Sequence, residues 1–158
     1  RALLASCEEA VLFAATLGAE SERMLLREQA ISAESALLLD AVLSAAIESV
    51  CDDAENQLRR EAEASGKYLT DRFSPGYGDL PLALQPEIVR VLAADKRLGM
   101  VATESNLLIP AKSVTAFVGL FDADAKLDEA SGVKASCDGC ACRQNCTLRA
   151  AGTPCWKR

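Results

Sequence analysis

Hydrophobic and polar positions recur along this chain with two different periods, and the switches between them predict its elements. Leu3 to Ala10 has the spacing of the end of a helix. Val11-Leu12-Phe13-Ala14-Ala15-Thr16-Leu17 is a continuous run closed by Gly18, short enough and stopped abruptly enough to predict a buried strand. From Ala19 to about Ala30, Met24, Leu25 and Ile31 recur at helical spacing against Glu20, Glu22, Arg23, Arg27 and Glu28. That pattern predicts an exposed helix packed on one face.

Ser32, with Glu34 in the first turn, reads as the N-cap of a long helix running to about Ala64. Its first half is apolar almost all round (Leu37, Leu38, Leu39, Val42, Leu43, Ile47), so it is expected to lie through the centre of the domain. Its second half is mostly charged and is expected to emerge into solvent. Within the apolar half Asp40, Ser44, Glu48 and Asp52 fall four apart and form one polar stripe, which must face water or a cleft.

Gly66 ends this helix, and Thr70 to Pro81 is the most turn-rich stretch of the chain, with Pro75-Gly76 as its turn signal. Pro86 to Leu98 predicts a helix with proline in its first turn and Gly99 as its stop. Met100–Ser105 and Lys112–Phe121 predict two strands paired as a hairpin, the second with Val114, Ala116, Val118 and Leu120 on one face. The expected fold is α+β: a small antiparallel or mixed sheet with a long buried central helix and flanking helices. It occupies residues 1–121 and is followed by an acidic linker over 122–131 and a cysteine-rich tail over 132–158.

A chain of 158 residues, half of them hydrophobic, has room for one sizeable core. The formal net charge of −6 argues against a nucleic-acid binder, which needs a cationic surface to displace counterions from phosphate. The longest apolar stretch, Ala36 to Ile47, is interrupted by Asp40 and Ser44 and is too short to cross a membrane. A cytoplasmic location is the expectation, as is a trimmed or incomplete N-terminus, since the chain opens on Arg1. The absence of histidine removes the commonest general base and the commonest metal ligand together.

Five of the seven cysteines crowd the tail as Cys137-x2-Cys140-x-Cys142-x3-Cys146, with Cys155 beyond. The stretch from Gly132 to Arg158 has five cationic side chains against Asp138, or +4, which leaves −10 for the rest of the chain. Four thiolates suit tetrahedral zinc or an iron–sulfur cluster. The spacing matches neither a ferredoxin run nor a paired zinc knuckle, so the metal's identity stays open, with free or reducible thiols as the alternative. Cys7 and Cys51, isolated in apolar surroundings, read as small core residues.

The turn-rich loop suggests chemistry of another kind. Arg72 offers a bidentate fork for a carboxylate, Gly76 permits close approach of the backbone, Tyr77 offers an aromatic face, and Glu48 on the polar stripe offers negative charge. Together they suit an amino acid bearing a sulfonium. The plainer reading is a surface arginine beside a Pro-Gly turn, bonded to nearby carbonyls.

Arg72-Phe73-Ser74-Pro75-Gly76-Tyr77 matches the Arg-x-x-x-Gly-Tyr signature of the activation (reactivation) domain of cobalamin-dependent methionine synthase. Thr103-Glu104-Ser105, the Ile109-Pro110 turn and the Ser113-Val114 strand resemble the segment that follows in that family. The runs Val11–Gly18, Leu39-Asp40-Ala41 and Ala46-Ile47-Glu48 are similar to its short, free-standing members. The resemblance spans roughly Cys7 to Leu120. It implies contacts to S-adenosylmethionine from Arg72, Ser74, Gly76 and Tyr77, with Glu48 nearby. It also implies a partner carrying cobalamin, either the cobalamin-binding domain of methionine synthase or a related corrinoid protein, and an electron donor. An aspartate contact from an N-terminal segment of the full-length domain has no counterpart here, and Phe117 and Phe121 stand in place of tyrosines after the hairpin. The alternative from a different class is a metal-binding electron-transfer or interaction module in which the cysteine tail is the working part.

Overall fold

A computed structural model describes Leu4 and residues 7–122 of the chain. Cys137, Cys140, Cys142, Cys146 and Cys155, and the acidic linker after Asp122, lie outside the described residues. The elements are β1 (Glu9–Thr16), α1 (Gly18–Ile31), α2 (Ala33–Ala64), β2 (Lys67–Leu69), α3 (Gln85–Leu92), α4 (Ala94–Leu98), β3 (Val101–Ala102), β4 (Leu108–Ile109) and β5 (Ser113–Asp122). The chain is α+β, as expected.

Three strands form one antiparallel sheet in the order β1-β5-β2, and β3 and β4 form a separate two-stranded ribbon. The hairpin expected between residues 100–105 and 112–121 is therefore replaced by two different pairings. Val101 and Ala102 pair with Ile109 and Leu108, from the stretch read as a connector, and β5 pairs along its length with β1, from Ser113↔Thr16 to Leu120↔Glu9. A ten-residue strand pairs over a longer run with the eight residues of β1 than with the short stretch after Met100, and each further pair buries more side-chain surface. The same partner draws Glu9 and Ala10 into the sheet, so the helix expected up to Ala10 is a strand from Glu9. Lys67 of β2 is ion-paired with Glu9 of β1 across the end of β5.

Helices cover both faces of the sheet. On one, Val118 packs with Ala62, Leu69, Phe13, Leu58 and Leu120. On the other, Met100, Val89 and Ala94 close over Ala14, with Leu92, Ala102 and Leu108 around them. β5 is covered on both sides, with Ala116 and Val118 wholly buried and Thr115 nearly so.

Ser32 caps α2 as expected, its hydroxyl accepting from the Ser35 N–H at 3.3 Å. The burial of α2, however, is not divided between its halves as expected. Ala36 and Ile47 in the apolar first half are buried, but Leu37, Leu38 and Val42 beside them are 72, 64 and 63% exposed, and Cys51 and Ala62 in the charged second half are buried as well. A helix of 32 residues is about 48 Å long and overshoots a sheet of three strands. The C-terminal half lies on the sheet and presents its small and apolar residues downward, while the N-terminal half carries α1 beside it.

The helix expected over 86–98 is two helices, broken at Ala93, which adopts φ 49°. That left-handed residue lets the chain turn so that Ala94 and Met100 reach the core. Gly99 closes α4 with φ 67°, as its position predicted.

Candidate functional site

β2 continues into the turn-rich loop without leaving β5. The Thr70 N–H donates to the Gly119 carbonyl at 2.9 Å, and Phe73 exchanges two main-chain hydrogen bonds with Phe117, each 2.9 Å. Leu69 to Phe73 is four steps and Leu120 to Phe117 three, so the loop has one extra residue against β5. A bulge of this kind bends the strand and re-aims side chains. Here it turns Arg72 toward α2.

Arg72 meets three carboxylates there. Its Nη1 donates to Asp52 Oδ1 at 2.6 Å and Glu55 Oε2 at 3.1 Å, and its Nη2 to Glu48 Oε2 at 2.7 Å. Burial works against the charge on this guanidinium, but the hydrogen bonds it donates to Asp52 and Glu48 outweigh it and hold its pKa above the ordinary value. A guanidinium has five N–H donors, of which these bonds use three. Glu55 also accepts from Arg59 at 2.5 Å. The polar stripe of α2 thus divides between its two expected settings: Glu48 borders a cleft, whereas Asp52 and Asp40 are 62 and 46% exposed. Further along it, Lys112 pairs with Asp40 at 2.7 Å and donates to Ser44 Oγ at 2.8 Å.

The cleft has a volume of about 420 Å³ and is lined by Glu48, Arg72, Ser74 and Tyr77 among others. Four of the five residues singled out from sequence therefore border one space, although 24 positions separate Glu48 from Arg72. Gly76 sits behind the lining. Its φ of 97° suits glycine, its N–H donates to the Leu80 carbonyl at 2.8 Å, and a Cβ there would come within 3.3 Å of Leu82 Cδ1. Its contribution is to shape the loop. Tyr77 is 68% exposed, so its ring stands at the mouth of the cleft.

No family model matches the chain, and no curated protein matches it.

Several lining residues escaped the sequence reading: Gln85, Leu108, Ser113, Val114 and Thr115. Ser113 and Thr115 are the polar members of the period-two alternation in β5, and that signal could have marked them. Gln85 has no such signal, since its role depends on where α3 begins. Among the described residues no group of three or more Cys, Asp or Glu side chains is arranged to hold a metal ion, and no helix is long and apolar enough to cross a membrane.

Cys51 lies beneath Arg72, wholly buried. Burial raises its thiol pKa, with Glu48, Asp52 and Glu55 adding to the effect and Arg72 opposing it. A buried, protonated thiol is a poor nucleophile. At pH 7.5 Cys51 in the native chain is expected to be alkylated at least ~100-fold more slowly than in the unfolded chain. Peptide mass spectrometry after timed iodoacetamide treatment reads this directly; equal rates would place Cys51 at the surface.

Proposed function

We propose that this chain is an S-adenosylmethionine-binding component that reactivates a cobalamin-dependent methionine synthase, acting on a corrinoid carried by a separate domain or protein. The observation that carries the reading is the convergence of Glu48, Arg72, Ser74 and Tyr77 on one cleft. Its volume falls within the range of small-molecule pockets, about 300–1,000 Å³. The donor set suits the ligand as well. Two N–H donors of Arg72 remain for a carboxylate, and the Glu48 carboxylate and the Tyr77 ring offer negative charge and a π face to a sulfonium.

The sulfonium supplies an activated methyl group when bound. The chain's own residues hold and orient it: Arg72 fixes one end of the ligand, and Tyr77 at the mouth leaves the other side open to a docked partner. Orientation of two reactants in this way contributes through proximity, and no general base is called for. The anionic stripe of α2 has a second effect. Glu48, Asp52 and Glu55 outnumber Arg72 and Arg59 by one, and Glu48 borders the cleft, so the cleft favours a ligand of net positive charge over a neutral one.

The test is reconstitution. A methionine synthase whose cobalamin has been oxidised to the cob(II)alamin state is mixed with the full chain, S-adenosylmethionine and a one-electron donor, and methionine formation is followed. Recovery of turnover that needs all three additions is the expected result. Absence of recovery, with stoichiometric zinc or iron on the chain, would move the function to the cysteine tail as a metal-binding electron-transfer or interaction module.

A further inference from the structure

The first half of α2 is apolar almost all round, and the sheet and α1 cover only part of it. Ala36 and Ile47 are buried. The side facing away from them carries Leu38, Val42, Ala45 and Ser49, at alternating steps of four and three, and all four are exposed. A helix that is apolar on every side is one that is buried on every side.

α1 extends the same surface. Met24, Arg27, Glu28 and Ile31 share one face of it, with Met24 and Ile31 exposed, Ile31 by 74%. Between the two helices runs a groove of about 420 Å³ lined by Met24, Arg27, Glu28, Ser35, Leu38 and Leu39. Met24, Ile31, Leu38 and Val42, with the exposed Ala41 and Ala45 among them, leave on the order of 500 Å² of apolar surface in water, a size that marks interaction sites.

Two features select a second copy of this chain as the occupant. The first is area. A stable interface takes about 800 Å² from each partner, of which roughly 60% is apolar, and a patch of this size meets that need. The second is charge. Arg27 and Glu28, the charged residues of the groove, are of opposite sign, and among the described residues neither side chain has an ion-pair partner. A two-fold interface presents one patch to itself, so each charge must find its opposite within that patch. A strongly acidic or basic partner would instead call for charges of a single sign.

We propose that the outer face of the α1–α2 hairpin is a two-fold interface between copies of this chain, in which the two hairpins close into a four-helix bundle and Arg27 of each copy meets Glu28 of the other. None of the patch residues lines the cleft of Arg72 and Tyr77, so each copy keeps its own cleft. The inference is independent of what that cleft binds.

The experiment is sedimentation equilibrium of the full chain under a thiol reductant, which prevents disulfides from linking copies. The native chain is expected at the mass of two copies at about 50 µM, since interfaces of this size bind at micromolar concentration or tighter. Leu38→Glu and Val42→Glu each place a charge at the centre of the interface, twice over by symmetry, and are expected to weaken association at least about 100-fold. Leu26→Glu is the control: Leu26 is 61% exposed but lies about 200° round α1 from Met24, and association is expected to be unchanged. Arg27→Glu is expected to weaken association at least about tenfold, and adding Glu28→Arg to restore it. A single-copy mass for the native chain at that concentration overturns the proposal. So does a two-copy mass that survives both Leu38→Glu and Val42→Glu, or a loss just as large in Leu26→Glu. If neither glutamate variant folds, the charge exchange decides.

Discussion

Replacing Arg72 by alanine is expected to abolish measurable S-adenosylmethionine binding and to lower stability by about 2 kcal/mol. The two effects have one origin. Arg72 is the cation between Glu48, Asp52 and Glu55, and without it three carboxylates face one another around the Cys51 thiol. Breaking a buried ion pair costs roughly 3–5 kcal/mol, but Glu48 and Asp52 are each more than 60% exposed and water screens their share. Only Glu55, 14% exposed, bears the full effect, and Arg59 still contacts it. Arg72→Lys separates the two consequences, since it restores a point charge to the cluster without the planar fork. That variant is expected to recover most of the stability in urea denaturation and little of the affinity. Wild-type affinity in Arg72→Lys would show that the fork does not read the ligand.

Met100→Ala is expected to cost more in stability, about 3 kcal/mol. Met100 is wholly buried, packed with Val89 and Ala94 on the face of the sheet opposite α2. Its N–H donates to the Ala94 carbonyl at 3.1 Å, so the side chain is set at the point where α4 turns into β3. Truncation removes buried apolar surface and leaves a space that a core held between a sheet and two short helices closes only in part. Urea denaturation of the variant should show a lower midpoint with an unchanged slope. A loss under about 1 kcal/mol would mean that α3 and α4 are held by contacts other than this cluster.

Both residues show how far the sequence was informative. Arg72 stood out through its neighbours Pro75, Gly76 and Tyr77, and the four-residue spacing of Asp40, Ser44, Glu48 and Asp52 foretold a polar stripe on α2 facing water or a cleft, of which Glu48 borders the cleft. The caps of the long helix, Ser32 and Gly66, were equally legible, because capping is local chemistry. Tertiary choices were not. Leu37, Leu38 and Val42 look like core in any window of sequence, and only the shortness of the sheet leaves them outside. Val101 and Ala102 have the composition of a strand, but nothing in them selects Ile109 and Leu108 over β5 as partner.

The site divides along the same line. Glu48, Arg72 and Tyr77, singled out from sequence for their own charge or ring, border one cleft in the fold. Gln85 and Thr115, whose meaning lies in burial, became visible only in the fold. The bulge between Leu69 and Phe73, which aims Arg72 at α2, has no sequence signature beyond the absence of a regular alternation.

The most direct test of the account is calorimetric titration of the anaerobically purified chain with S-adenosylmethionine, repeated with S-adenosylhomocysteine. Saturable one-to-one binding, tighter for the sulfonium than for the neutral thioether, is the predicted result. Binding of neither compound, or tighter binding of the thioether, would contradict a cleft whose anionic wall selects the charged ligand.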